Sequence, residues 1–410
     1  MTTARDAAAR WLARVGLRTD LLRDDTRDDS ARVGYVELFF DLVFVFAITQ
    51  LSHTLIHHTD ATHLLRVLVL AWAVWWLWID STWVTNWLDP ERVPVRAMLV
   101  VMMALGLLMS SAIPEAFGEK ALLFAIPYVT IQVGRTVFTT LAMGRVWTDN
   151  AVNFLRITTW LVASGVLWVA GALVDEQART VLWVLAALMD LASPRALFWV
   201  PGLGASDVHT WAVRSGHMAE RVSLFVIISL GESIVVTGGS FSELSVSAAT
   251  VAAFLAAFTS TVLMWLLFFD RSERSATRFF SRQSETGMVA QTAYTYVPYV
   301  LVVGIVLTAV GDGLVLAGED AHRGWTAAIV CGSAAVYLVG NALFRRTTGG
   351  GWSVPHLVGA AVAVALVALA GVATAVELSW AANVVMLAVL VADVAIARRR
   401  VAAEPPADVY

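Results

Sequence analysis

The sequence predicts an all-α fold, namely a polytopic membrane bundle of about twelve transmembrane helices. Of the 410 residues, 58% are hydrophobic and only 15% are charged, whereas soluble domains are about 45–50% apolar and about 25% charged. This apolar excess is too large for a globular core to bury, so part of the chain must face lipid. The apolar residues form long unbroken stretches and not the alternating pattern of outer-membrane strands, which favours helices.

Twelve apolar stretches are long enough to cross a bilayer core of about 30 Å, which takes roughly 20 residues of helix. Charged residues or clusters of glycine and proline separate one stretch from the next. The stretches lie at residues 36–56, 63–88, 95–113, 122–142, 152–174, 179–200, 217–238, 246–269, 288–311, 325–344, 354–374 and 379–397.

The distribution of basic residues predicts the orientation, because cytoplasmic loops carry an excess of lysine and arginine. With the N-terminus inside, arginines crowd the inner segments, whereas the outer loops hold little beyond Lys120, Arg179 and Arg323. We therefore expect an inner-membrane protein with both termini in the cytoplasm, and a mixed-charge linker at residues 20–29. The expected divisions are a cytoplasmic segment 1–34, a first six-helix repeat 35–200, a linker 201–216, a second repeat 217–397 and a cytoplasmic tail 398–410.

Polar landmarks recur about half a chain apart and predict a parallel tandem repeat of six plus six helices. Duplicated bundles of this kind commonly hold a pathway at the interface of the repeats. The paired landmarks are Glu37 and Glu220, Asp80 and Asp270, Glu115 and Asp312, Arg135 and Asn341, and Asp190 and Asp393.

Ionisable residues within the spans are the candidate site residues, because a charge at bilayer depth costs about 2.5–3.5 kcal/mol on insertion scales. Glu37 and Asp41 lie four residues apart on one face of the first helix. Two such carboxylates can share a proton or coordinate a cation. The alternative is a pair that caps the helix N-terminus, where negative charge suits the helix dipole.

The seventh span carries a second set of candidates. His217, Glu220 and Arg221 have the spacing of one helix face, and Glu232 lies about eleven residues further along in an apolar run. Arg221 is expected to pair with a carboxylate of the first helix. Glu232 is expected to bind an ion or proton, or alternatively to hydrogen-bond a neighbouring helix. Supporting roles are expected for Asp80, Glu115, Arg135, Asp270 and Asp312, with a structural salt bridge between Arg135 and one of the acids as the default.

Other site chemistry is not indicated. Histidines cluster at the first outer turn, around His58, where a solvated loop is expected and not a metal site. The tryptophans of the second span are expected to face lipid or the membrane interface. The net charge of −4 argues against nucleic-acid binding. We expect no cofactor and no metal; the expected partners are the lipid bilayer and a small solute or ion.

Three motifs stand out along the chain: Val36 to Val45, the tryptophan-rich segment from Trp75 to Asn86, and the segment from His217 to Ser233. Together they resemble the signature segments of the bacterial low temperature requirement A (LtrA) family, and the resemblance covers residues 33–397. It implies a multi-pass inner-membrane protein connected with growth in the cold, and no agreed activity. Pro298 departs from the family pattern, in which a histidine is expected.

Three functions remain open from the sequence. The first is a secondary transporter or channel for a small solute or ion, coupled to protons, in which the acids of the first and seventh helices bind the cation or proton and Arg135 and Arg221 set their charge state. The second is an intramembrane lipid-modifying enzyme with His217 as base and Glu220 or Glu232 as acid. The third is a structural or sensory membrane protein. The first is favoured, because the predicted spans carry several acids at repeat-related positions.

Overall fold

The computed structural model describes residues 21–23, 33–58, 60–143, 149–207, 213–269, 291–318, 323–349 and 351–403. Within these ranges the chain forms twelve α-helices and no strand, which confirms the predicted all-α fold. The helices are α1 (Tyr35–His57), α2 (Ala61–Trp87), α3 (Val93–Ser111), α4 (Ala121–Ala142), α5 (Asp149–Ala172), α6 (Glu176–Ala192), α7 (Ser215–Ser242), α8 (Ala248–Leu267), α9 (Val297–Ala317), α10 (Arg323–Thr347), α11 (Val354–Leu366) and α12 (Ala375–Ala403).

Ten helical segments within the described ranges are long and apolar enough to cross a membrane, and the chain is therefore a polytopic membrane protein. The two remaining helices, α6 and α11, are shorter, at 17 and 13 residues. At 1.5 Å per residue, α6 is only about 26 Å long. The sixth span was therefore predicted too long at its C-terminal end, and the eleventh ends in a 3-10 turn at Val367–Leu369. The ninth helix runs to Ala317, six residues beyond the predicted end.

The chain divides into two compact units. Unit 1 comprises residues 1–225 and 283–295, and unit 2 comprises residues 226–282 and 296–410. In unit 1, α1 packs on α2 and α3, α4 packs on α3 and α5, and α5 packs on α6. Residues 21–23 lie against the end of α2, where Leu22 pairs with Leu88 and the Arg23 N–H donates to the Trp87 carbonyl at 2.9 Å.

The core of unit 1 is rich in tryptophan, contrary to the expectation that the tryptophans of the second span face lipid. Trp72, Trp75, Trp76 and Trp78 of α2 are all buried. Trp75 and Trp78 contact the ring of Phe225, whose centroid lies 4.1 Å from that of Trp78. Indole rings fill large volumes and place a single N–H donor, so α2 is suited to packing inside a helical unit and to hydrogen-bonding buried acceptors.

In unit 2, α9 and α10 form the most extensive helix pair, and α12 packs on α8, α10 and α11. Glycines allow the close approach of α9 and α10. A Cβ atom at Gly304 would lie 2.9 Å from the Cα and backbone N of Tyr337, and one at Gly340 would lie 2.9 Å from the Leu301 side chain. Small residues at such contacts let the backbones of membrane helices approach.

Large apolar side chains are exposed along the helices. On α3, for example, Val100, Val101, Leu107 and Leu108 are exposed, while Leu99 and Met109 of the same helix are buried. Exposed apolar surface of this extent is typical of a membrane interaction surface. These faces are therefore suited to contact with lipid.

Candidate functional site

Glu37, in the first turn of α1, is the centre of a buried ionic cluster in unit 1. Its Oε2 accepts the Gly34 N–H at 2.9 Å, so Glu37 contributes to the cap of α1. The same oxygen accepts a hydrogen bond from Arg23 Nη2 at 3.0 Å, and Oε1 lies 2.9 Å from His217 Nε2. Glu37 thus links the N-terminus of α1 to residues 21–23 and to α7.

Arg23 is the member of this cluster that the sequence analysis missed, because it lies in the stretch interpreted as a linker. Its Nε donates to the Thr85 carbonyl at 2.7 Å, and its own carbonyl accepts from Arg214 Nη2 at 3.0 Å. Burial lowers the pKa of the Arg23 guanidinium, and the Glu37 carboxylate beside it opposes that shift. The signal in the sequence was the apolar pair Leu21-Leu22 inside a charged stretch, and Leu21 is buried.

Asn86 and Glu37 contact the two nitrogens of the His217 ring. The Asn86 Oδ1 accepts the Arg214 N–H at 3.1 Å and its Nδ2 donates to the Arg214 carbonyl at 3.1 Å, which sets the orientation of the amide. Nδ2 also lies 3.3 Å from His217 Nδ1. On the other side of the ring, Nε2 lies 2.9 Å from Glu37 Oε1 and 3.0 Å from Arg23 Nη2. The amide and the carboxylate favour a proton on Nε2, whereas the guanidinium, which can only donate, favours a lone pair there.

The enzymatic hypothesis used His217 as a base. The His217 side chain is fully buried, and both ring nitrogens lie within hydrogen-bond distance of protein groups. A catalytic base needs a nitrogen lone pair directed at its substrate, so a lipid would reach His217 only after these contacts are broken.

Asp41, one turn further along α1, forms a separate ion pair. Its Oδ1 accepts hydrogen bonds from Arg221 Nη2 at 2.8 Å and from Trp78 Nε1 at 2.7 Å. The guanidinium carbon of Arg221 lies 5.6 Å from the centroid of the Trp78 ring, within the range of a cation–π contact. The expected pairing of Arg221 with a carboxylate of the first helix is present. Glu37 and Asp41 each have a cationic partner of their own and do not form a shared carboxylate pair.

The Asp41–Arg221 pair is only partly satisfied by protein groups. Both side chains are almost fully buried. Among the described residues, Asp41 Oδ2 and the Nε and Nη1 atoms of Arg221 have no hydrogen-bond partner. Buried polar atoms are normally hydrogen-bonded, and exceptions require an explanation. The pair therefore has one acceptor atom that can take a proton. It also has two donor atoms that can hydrogen-bond a small molecule.

The other acids predicted for α7 lie elsewhere. Glu220 is exposed and accepts the Val33 N–H at 3.2 Å, so it does not join the buried side chains of His217 and Arg221. Glu232 belongs to unit 2, where it is buried. Of the six predicted binding residues, four therefore come together in unit 1.

Arg135 and Asp80 form the structural salt bridge that the sequence predicted. Arg135 Nη2 lies 3.2 Å from Asp80 Oδ2, and Nη1 donates to the Ser81 hydroxyl at 3.1 Å. Gln132 Nε2 also donates to Asp80 Oδ2, at 3.4 Å. The side chain of Asp80 is 20% exposed, whereas that of Arg135 is 1% exposed, so the carboxylate is the accessible member of the pair.

A cavity of about 100 Å³ lies beside this salt bridge in unit 1, where α2 and α6 end and α5 begins. Asp80 and Arg135 contribute its charged wall, and Asn153 and Gln291 contribute amides. The Nε of Arg135 has no hydrogen-bond partner among the described residues. The aromatic wall consists of Trp76, Trp83, Trp87, Phe154 and Phe198.

The remaining supporting residues are dispersed. Glu115 is exposed after α3 and pairs with Lys120 at 2.7 Å. Asp312 is buried in α9 of unit 2, where its Oδ2 accepts the Ser233 hydroxyl at 2.7 Å. Asp270 lies outside the described residues. The histidines of the first outer turn form no metal-binding group within the described part of the chain.

Comparison with known proteins places the chain in a family. Residues 32–391 match the family described as "Bacterial low temperature requirement A protein (LtrA)". The chain belongs to the LtrA family. A protein of Rhizobium meliloti (strain 1021) that is described as uncharacterized is 38% identical over 300 residues, which make up 73% of each chain. No solved structure matches the chain.

LtrA membership extends over all twelve helices up to residue 391. It therefore includes Glu37, His217, the Asp41–Arg221 pair and the cavity beside Asp80, whereas Arg23 precedes the matched residues. The LtrA description names a low-temperature requirement, and not a reaction or a solute.

Proposed function

We propose that the protein is a secondary transporter or channel that moves a small solute or ion across the bacterial inner membrane, coupled to protons. The observation that carries the proposal is the cavity beside Asp80, which is set among membrane-spanning helices and has an aromatic wall and a charged wall. Pockets that are mostly apolar with a few convergent polar groups are the usual sites for small ligands. Ionisable residues within membrane spans mark solute and ion pathways.

The dimensions and polarity of the cavity limit the solute. An enclosed apolar cavity of about 150 Å³ holds benzene, and the cavity here, at about 100 Å³, is of a similar order and suits a small solute. Arg135 and Gln132 both hydrogen-bond Oδ2 of Asp80, which leaves Oδ1 to accept from a solute donor. Aromatic faces favour cationic groups. The best match is a small molecule with a hydrogen-bond donor or an ammonium group.

The proton is assigned to Asp41. Its Oδ1 receives both the Arg221 and the Trp78 hydrogen bonds, while Oδ2 has no donor among the described residues. A proton on Oδ2 would neutralise the carboxylate without displacing either hydrogen bond. Arg221 would then carry an uncompensated charge, which is costly in a buried site and favours movement of α7 against α1.

The orientation and the internal repeat are part of the same proposal. The arginine distribution supports an N-terminus and a C-terminus in the cytoplasm. Two repeats of six helices would provide the parallel halves that many transporters use. The family description suggests a role in growth in the cold.

The test uses purified protein in liposomes that contain a pH-sensitive dye. Gradients of protons and of a panel of cations and small amines are imposed, and wild type is compared with Asp41→Asn and Glu232→Gln. We expect flux in the wild type and its loss in both Asp41→Asn and Glu232→Gln. Glu115→Gln, which changes an exposed acid, is the matched control and should retain full flux.

Absence of flux under every gradient, with folded wild-type protein, would contradict transport and favour a structural or sensory role. Wild-type flux that survives in Asp41→Asn would contradict the assignment of the proton to Asp41.

A further inference from the structure

A second polar cavity lies within unit 2, between four helices. Its volume is about 10 Å³, close to the smallest cavity that holds one water-sized species. Side-chain oxygens from all four helices line it: Ser260 of α8, Thr308 and Asp312 of α9, Ser333 of α10, and Ser379 and Asn383 of α12. All six side chains are buried.

Several donors around this cavity are already used by backbone carbonyls. The Thr308 hydroxyl donates to the Gly304 carbonyl at 2.9 Å, and the Ser333 hydroxyl donates to the Val330 carbonyl at 2.9 Å. Asn383 Nδ2 donates to the Ala256 carbonyl at 2.8 Å. With their protons engaged, the Thr308 and Ser333 oxygens can act as acceptors toward the cavity, and Asn383 adds its amide oxygen. The cavity therefore offers several lone pairs.

Asp312 is the one ionisable side chain among the described residues that line the cavity. Its Oδ2 accepts the Ser233 hydroxyl at 2.7 Å, and Ser233 in turn lies 2.8 Å from the Thr261 hydroxyl. No basic side chain of the described residues forms an ion pair with Asp312. A buried carboxylate of this kind is paired, protonated or coordinated to a cation. The surrounding acceptors disfavour an anion.

We propose that this cavity binds one dehydrated monovalent cation, with Asp312 as the charged ligand and the hydroxyl and amide oxygens completing the coordination. Hard cations prefer oxygen ligands. A single carboxylate balances one positive charge, whereas divalent sites commonly combine several carboxylates. The volume takes one dehydrated ion no larger than a water molecule, such as Na⁺.

Cation binding in the Asp312 cavity does not depend on transport by the protein. If the protein does transport a solute, the site would supply a second coupling ion besides the proton. Binding of Na⁺ by a protein without flux would contradict only the proposed function. Flux by a protein that does not bind Na⁺ would contradict only this inference.

The experiment measures binding of radiolabelled Na⁺ to the purified full-length protein in detergent, together with the thermal unfolding midpoint in NaCl and in choline chloride of equal ionic strength. A ligand that binds only the folded state raises the midpoint with its concentration. We expect saturable binding, competition by other monovalent metal ions such as Li⁺ and K⁺, and a rise in the midpoint in NaCl but not in choline chloride.

Asp312→Asn should abolish binding and the Na⁺-dependent shift. Ser379→Ala leaves the Asp312 carboxylate in place and should lower the affinity for Na⁺ several-fold. It therefore tests the site in a protein whose buried charge is unchanged. The matched control is Asp190→Asn. Asp190 is also buried, but its Oδ2 faces donors, because it accepts from the Tyr128 hydroxyl at 3.1 Å and from Trp168 Nε1 at 3.4 Å. Asp190→Asn should therefore leave Na⁺ binding unchanged.

Absence of saturable binding to folded wild-type protein would overturn the proposal and leave the cavity to a water molecule or a proton. Binding that is equal in wild type, Asp312→Asn and Ser379→Ala would overturn it as well, because the cation would then lie elsewhere.

Discussion

At the scale of single residues, the behaviour of the Asp41–Arg221 pair depends on its burial. Both side chains are almost fully buried, and three of their polar atoms have no hydrogen-bond partner among the described residues. Removing one member of a buried pair leaves an uncompensated charge, whereas replacing both with apolar groups is often neutral or stabilising.

This difference gives the first prediction. Arg221→Met should lower the free energy of unfolding by about 3–5 kcal/mol, because Asp41 is left charged and buried. Asp41→Leu combined with Arg221→Met should recover much of that loss. Chemical unfolding in mixed micelles measures both. A double variant no more stable than Arg221→Met would contradict the prediction.

The second prediction concerns the tautomer of His217. Because Asn86 Nδ2 lies 3.3 Å from Nδ1 and the Glu37 carboxylate lies 2.9 Å from Nε2, we expect these two donor–acceptor contacts to outweigh that of Arg23, so that the neutral wild-type ring carries its proton on Nε2. Asn86→Asp replaces that donor with an acceptor and should convert the ring to the doubly protonated form. Nitrogen NMR of histidine-labelled protein distinguishes the two forms, and the loss of the signal in His217→Gln assigns it among the eight histidines. A wild-type proton on Nδ1 would exclude the arrangement.

At the residue scale, the sequence was sufficient to predict two ion pairs within the spans. The carboxylate partner of Arg221 and the salt bridge of Arg135 followed from the need of a buried charge for a counter-ion. Arg23 was missed because its contact with Glu37 depends on how residues 21–23 lie against α2, which no local pattern encodes. The burial of Glu232 and the exposure of Glu220 likewise depend on which face of α7 packs inward.

At the scale of helices, glycine contacts determine how closely α9 and α10 approach. Gly304→Ala should destabilise the protein by about 1–3 kcal/mol, because the new Cβ would lie 2.9 Å from backbone atoms of Tyr337 that cannot yield without separating the helices. The matched control is Gly332→Ala in α10, where a Cβ meets no atom within 4 Å. Thermal unfolding should separate the two variants, and equal midpoints would refute the close approach.

The start of α2 gives a prediction on pH. The Asp60 side chain accepts the N–H groups of Thr62 and His63 at 2.9 and 3.0 Å, and these hydrogen bonds, the one from His63 foremost, lower its pKa below the ordinary value. Because the folded-state pKa lies below the unfolded-state pKa, the stabilisation is present at neutral pH and is lost as the pH falls through the acid range.

Asp60→Asn tests this pH dependence, because asparagine caps a helix about as well as aspartate but does not titrate. Any advantage of wild type over Asp60→Asn at neutral pH should shrink as the pH is lowered from about 7 to about 3. Unfolding midpoints measured over that range provide the comparison. A difference independent of pH would show that the carboxylate of Asp60 contributes nothing through its charge.

At the scale of the whole molecule, composition and apolar runs were sufficient to predict a polytopic helical protein. They located twelve helices, because each span requires its own apolar stretch. They could not separate a helix that spans from a shorter one, so α6 and α11 were predicted too long. The internal repeat remains a prediction. Its proposed partners Glu115 and Asp312 differ in environment, the first exposed and the second buried.

The topology can be tested in whole cells. In a Cys331→Ala background, single cysteines are placed at Glu119, in the loop after α3, and at Arg92, in the loop after α2. With cytoplasmic termini, a membrane-impermeant thiol reagent should label Glu119→Cys in intact cells and Arg92→Cys only after permeabilisation. The reverse pattern would contradict the orientation.

The central claim is that a solute binds in the cavity beside Asp80 and is moved across the membrane, and it is tested most directly by flux through a protein whose cavity has lost its charges. Asp80→Asn combined with Arg135→Gln removes both charges together, so that neither is left unpaired. In liposomes, wild-type protein should give solute-dependent proton flux, and the double variant should fold with an unfolding midpoint near that of wild type but give no flux. Undiminished flux in the folded double variant would contradict the account.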